Sequence, residues 1–130
     1  MDKVPLIAAC AALALCAWAA ATARAQSAVQ TRWQAYADCA AGYRANWQDR
    51  RTDPSRSKQM ADMILMQSED YQMGAVRHLK QETAAGEAEA QRTVQSYIDA
   101  NLGRFIAMDE ADELNAFLDR CPQPDENGRL

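Results

Sequence analysis

Apolar positions along this chain recur at steps of three and four, and no segment alternates apolar with polar between hairpin turns, so the pattern predicts helices. Val29, Trp33, Tyr36, Ala40, Tyr43 and Trp47 fall on one stripe of a helix that ends near Gln48. Ser27 and Gln30 ahead of it fit a capping box, the serine taking a backbone N–H and the glutamine reaching back. The polar run "DRRTDPS" breaks the pattern. Within it, Asp53 before Pro54 is a restart signal, because proline at the first helical position lacks an N–H that would have no partner anyway.

A second helix is therefore expected from Pro54 to about Glu82, with Gly86 marking the next break. A third, from about Glu87 to Asn101, turns Val94, Tyr97, Ile98 and Leu102 inward, and Gly103 ends it. Asp109 then caps a short last helix, with Glu110, Asp112 and Glu113 in its first turns, where the helix dipole favours acids. Ala111, Leu114, Phe117 or Leu118, and Cys121 line its buried side, and "CPQPDENGRL" follows as a loose tail. The expected fold is all-α: a small four-helix bundle over residues 26–121 with a flexible tail at 122–130.

The first 25 residues read differently. Lys3 and the amino terminus precede an apolar run from Val4 to Ala21, and Ala23-Arg24-Ala25 offers the small residues an export peptidase reads. That order predicts a signal peptide at residues 1–25, cut before Gln26. An uncleaved anchor is the rival, but an alanine-rich run inserts weakly. Ile7-Ala8-Ala9-Cys10 resembles a lipid-attachment box, yet almost no apolar run precedes it. Cleavage removes Cys10 and Cys16 and leaves Cys39 and Cys121. Two cysteines in an exported chain predict a disulfide. No Cys-x-x-Cys is present, so the bond is expected to be a structural staple. The expected location is periplasmic or secreted.

Charge narrows the function classes. The chain has a formal net charge of −4. Residues 26–81 hold eight basic and six acidic side chains, whereas residues 82–130 hold four and eleven. An acidic exported domain is a poor nucleic-acid binder. The asymmetry permits neutralisation between packed helices or head-to-tail association.

Little in the chain has the spacing of a reaction centre. Phe105–Leu114, "FIAMDEADEL", resembles the acid box of helicases, but no phosphate-cradling Gly-x-x-x-x-Gly-Lys loop accompanies it. His78 is the only histidine, and no local nucleophile signature or haem-attachment motif appears. The aromatic stripe of the first helix could stack on sugars or peptides, though at that spacing it is expected in the core. Arg44, Arg50, Arg51, Arg56 and Lys58 concentrate positive charge around the first loop, a candidate anchor for an anionic partner.

The richest stretch is Met60–Met73, "MADMILMQSEDYQM", with four methionines in fourteen residues. On a helix Met60, Ile64, Tyr71, Ala75 and His78 share a line with Met63 on its flank, so Met60 and Met63 are expected in the core. Met66 and Met73 lie far round the cylinder, near Asp62, Arg77 and Lys80. With Leu65 and Val76 they give the second helix another apolar side, which is either covered by the monomer as its central helix or meets a partner. Coverage within the monomer is the expectation; Leu65, Met66, Met73 and Val76 are the candidate partner surface. Met60 and Met63 could supply two soft Cu(I) ligands, and His78 one haem ligand, as a minor alternative. The sequence thus predicts a non-enzymatic, cofactor-free exported protein that binds an envelope protein or itself, as an inhibitor, immunity protein or chaperone does, with a Cu(I) or haem carrier as the alternative.

Overall fold

A computed structural model describes residues 30–130. The expected signal peptide and the Ser27 cap lie outside the described residues. Four helices follow in order: α1 (Arg32–Thr52), α2 (Lys58–Glu82), α3 (Glu87–Glu110) and α4 (Leu114–Leu118). No strand occurs among the described residues, and the fold is all-α as expected. Its bundle is coarser than predicted. Three helices are long, and the fourth has five residues.

The middle of the domain is α1. Every residue from Tyr36 to Gly42 is buried, together with Ala45 and Asn46, so two full turns have no wet side. Sequence patterning gave that role to the second helix. The difference lies in side-chain size: Ala37, Ala40, Ala41, Gly42 and Ala45 present little apolar area, yet they let neighbours approach from all directions. At Gly42 an added Cβ would stand 2.9 Å from Leu118 Cδ2. Across the α2 contact, the fully buried Ser68 hydroxyl donates to Ala40 O at 2.8 Å. An added Cβ at Gly74 would meet Tyr36 Cδ1 at 2.9 Å.

The α1 aromatics pack outward onto both neighbours. Tyr43 stacks on Tyr71 with centroids 5.4 Å apart, and Trp33 meets Tyr97 edge-on at 5.2 Å. Tyr36 is buried, while Trp33 and Tyr43 are half-buried against the same core. Tyr71 also donates to Pro122 O at 2.5 Å. Burial, then the neighbouring Tyr43 and Tyr36, push its hydroxyl up to about 12.

Helix boundaries differ from the pattern in three places. The described start of α1 is capped at Thr31, whose N–H and hydroxyl both donate to Gln34 Oε1, at 3.2 and 2.9 Å. Asp53 ends α1 rather than starting α2. Its carboxylate accepts from the Ser55 N–H and hydroxyl and pairs with Arg56, which holds it below the usual carboxylate range, and α2 begins at Lys58 behind Ser57. Gly103 does not end α3, which runs on to Glu110. Ala90, Val94, Ile98 and Phe105 form one continuous buried face, all at 0 % exposure. Burying Phe105 is worth about 2–3 kcal/mol, more than the roughly 1 kcal/mol a mid-helix glycine costs.

The stop comes at Asp112, in the left-handed region with φ 58. Glu113 N–H bonds Met108 O and Asp112 N–H bonds Asp109 O, a Schellman arrangement in a position where glycine is usual. Asp109 therefore closes α3 instead of capping the last helix. Burial, with Asp49 nearby, raises its carboxyl above the ordinary value.

The predicted staple is present. Cys39 and Cys121 are bonded, with Cα atoms 5.9 Å apart and a sequence separation of 82. They join α1 to the end of α4, where Leu114 and Leu118 are buried and Phe117 meets Phe105 at 4.9 Å. Ala111, expected on that buried side, is exposed. Residues 122–130, expected as a tail, carry hydrogen bonds of their own: Asp125 accepts from the N–H groups of Asn127 and Arg129 at 2.8 Å each. Leu130 packs on the core, and Arg77 Nη1 donates to its carbonyl.

Candidate functional site

Because α1 is the inner helix, α2 and α3 pack on it and meet each other only lightly. A groove of about 1120 Å³ lies between them. Met66, Met73 and Val76 of α2 line one wall, and Gln91, Arg92 and Gln95 of α3 line the other. Arg44 of α1 lies at the floor, in a chain of bonds that crosses all three helices. Its Nη2 donates to Gln72 Oε1 at 3.2 Å, Gln72 Nε2 to Gln95 Oε1 at 2.8 Å, and Gln95 Nε2 to Asp99 Oδ1 at 2.8 Å. Arg44 Nε is buried and has no hydrogen-bond partner.

Charge is sorted along the groove. At the hairpin end Lys80 pairs with Glu87, and Arg77 and Arg92 stand beside them. At the open end stand Glu69 and Asp70. None of Glu69, Asp70 and Arg92 has an ion-pair partner among the described residues.

The methionines correct the sequence expectation. Met60 and Met63, expected in the core, are 50 % and 55 % exposed; Met66 and Met73, expected to be covered by the monomer, are 62 % and 58 % exposed. Two facts explain this. The buried face of α2 is carried by Ala61, Ile64, Ser68, Tyr71, Ala75 and Leu79, and α3 covers α1 rather than the far side of α2. Of the candidate partner surface, the groove gathers Met66, Met73 and Val76; Leu65 is half-buried and stands outside it. Val76 is itself 8 % exposed, so it forms base more than rim.

Each of the five cations around the first loop has a contact of its own. Arg44 belongs to the groove floor. Arg50 donates to Asn46 at 2.8 Å, Arg51 lies 4.7 Å from the centroid of the Trp47 ring, Arg56 pairs with Asp53 and Lys58 with Asp62. His78 packs against Tyr36 with ring centroids 4.5 Å apart and planes tilted by 45°, and its Nε2 is buried without a hydrogen-bond partner. Burial, and secondarily Arg32, lower its pKa below the usual histidine value.

Sequence reasoning missed the polar floor and one further buried cluster. Asp38, 7 % exposed on α1, accepts from Tyr97 Oη and Arg104 Nη2, both at 3.0 Å. An acid between Ala37 and Cys39 was a visible anomaly; its partners on α3 were not. Among the described residues no three His, Cys, Asp or Glu side chains are grouped so as to hold a metal ion, and no helix is long and apolar enough to cross a membrane. Against protein-family models, curated proteins and solved structures, the chain has no significant match.

Proposed function

We propose that this chain is an exported, non-enzymatic helical protein that acts in the cell envelope by binding another protein chain, in the manner of an inhibitor, immunity protein or chaperone. The observation that carries the reading is the exposure of Met66 and Met73 beside a groove with a polar, hydrogen-bonded floor. Large flexible apolar side chains left open to water suit a surface that adapts to a partner. The groove is long enough for several helical turns, since Met66 to Lys80 rises about 21 Å at 1.5 Å per residue. Helix-in-groove docking uses apolar anchors spaced like these.

The test is a photo-crosslinking residue at position 73, expressed in the host. A protein adduct that disappears with Met66→Asp supports the reading. No adduct from position 73, with crosslinking intact at a control site, overturns it.

Exposure of Met60 and Met63, one turn apart, supports a second reading as a Cu(I) carrier, because both thioethers are free to bind a soft ion. Sub-micromolar Cu(I) binding that is lost in Met60→Leu/Met63→Leu would favour it. Binding unchanged in that variant would exclude these two ligands.

A further inference from the structure

The exposed face of α2 is complementary to itself. Counted from Met73, Glu69 lies four residues before and Arg77 four after, while Met66 lies seven before and Lys80 seven after. Two α2 helices laid antiparallel about a two-fold axis at Met73 therefore place Glu69 of each beside Arg77 of the other. The same pairing sets Met73 against its own copy and Met66 along the methylene stem of Lys80.

The groove extends the match. Arg92 stands on the α3 wall at the hairpin end, where the entering acids Glu69 and Asp70 of the second copy would arrive. Lys80 is already neutralised by Glu87, so two unpaired acids meet Arg77 and Arg92. Arg77 donates through Nη1 to the Leu130 oxygen and stands near Asp125, and its exposed guanidinium offers further N–H groups to a carboxylate.

We propose that the partner in this groove is a second copy of the chain, each α2 entering the other's groove to form a two-fold dimer. This inference rests on the reading of the Met66 and Met73 face as a protein-binding surface. Contact confined to one helix face and its groove makes a small interface, so association is weak and concentration-dependent.

Sedimentation equilibrium of the full chain as its host processes it, from about 1 µM to about 0.5 mM, tests the inference, a range suited to interfaces of this class. The average mass should rise from monomer toward dimer. Glu69→Arg alone and Arg77→Glu alone should each weaken self-association at least about tenfold, because each sets like charges face to face. An equimolar mixture of the two should associate again, since each charge now meets its opposite. Should the loss of the Leu130 bond in Arg77→Glu alter the far-UV spectrum, Arg92→Glu alone, on an exposed side chain without an ion pair, should also weaken self-association, and no weakening there overturns the proposal.

Wild-type protein that stays monomeric over the whole range, or a mixture no stronger than its components, overturns the proposal. The photo-crosslinker at position 73 separates the two levels. An adduct to a different chain, with the wild type monomeric, removes the second copy and keeps the binding surface; no adduct of any kind removes both.

Discussion

Replacing Met66 and Met73 together with aspartate measures whether these side chains belong to the fold or to its surface. At 62 % and 58 % exposure, each has about two-fifths of its area out of water. Full burial of a methionine is worth roughly 1.5–3 kcal/mol, so each loses about 1 kcal/mol at most. The new carboxylates fall one turn from Asp70 and Glu69, adding a few tenths of a kcal/mol of repulsion apiece. The double variant should therefore lose about 2–3 kcal/mol and remain folded.

Were these positions packed inside, an unpaired buried charge and a lost side chain would cost several kcal/mol at each. That sum would consume most of the ordinary 5–15 kcal/mol stability of a domain. Urea unfolding followed by far-UV circular dichroism reads the difference as a lower midpoint with an unchanged slope. Phe105→Ala supplies the internal scale: the side chain is 0 % exposed, and its truncation should cost about 3–5 kcal/mol. A double variant that loses more than Phe105→Ala, or has no helical signal without urea, would refute the placement of Met66 and Met73 on the surface.

Three further outcomes are expected. Reducing the Cys39–Cys121 bond, which links positions 82 apart in sequence, should cost up to about 4–5 kcal/mol and lower Tm by up to a few tens of degrees; two native thiols titratable without reductant would refute the staple. His78 has its folded pKa depressed by burial, so the unfolded state takes up the proton first as pH falls. Its contribution is full above the ordinary histidine value of 6.5 and is lost as pH drops below it toward the depressed folded value. Tm measured at pH 7.5 and 5.5 should thus fall less in His78→Phe than in the wild type, and equal falls would contradict this. Gly74→Ala should destabilise by about 1–3 kcal/mol despite better helix propensity, because the new methyl group meets the Tyr36 ring at 2.9 Å; an unchanged or raised Tm would show that the ring can move aside.

Helix existence was readable along the chain because apolar spacing is a local property, and the polar loop around Asp53 and Pro54 separated α1 from α2 as expected. Ends were less readable. Gly103 looked like a stop and is not one, while the left-handed residue that does stop α3 is Asp112, which no glycine announced. The groove was half legible: Met66, Met73 and Val76 were marked by a second apolar side on their helix, but Arg44 was read with the loop cations and its glutamine partners were not marked at all. Those bonds join residues 44, 72 and 95, and spacing within one helix carries no information about them.

By itself, then, the sequence determined an all-helical domain and the only two cysteines in the described region that could pair. Tertiary structure decided which helix stands in the middle. Apolar periodicity records how much hydrophobic area a helix offers on each side, and by that measure α2 outweighs α1. Close packing depends instead on how near two backbones can come, and the alanines and glycine of α1 allow approach from every side. With α1 enclosed, α3 had no need to cover α2, and the methionines of α2 were left facing water.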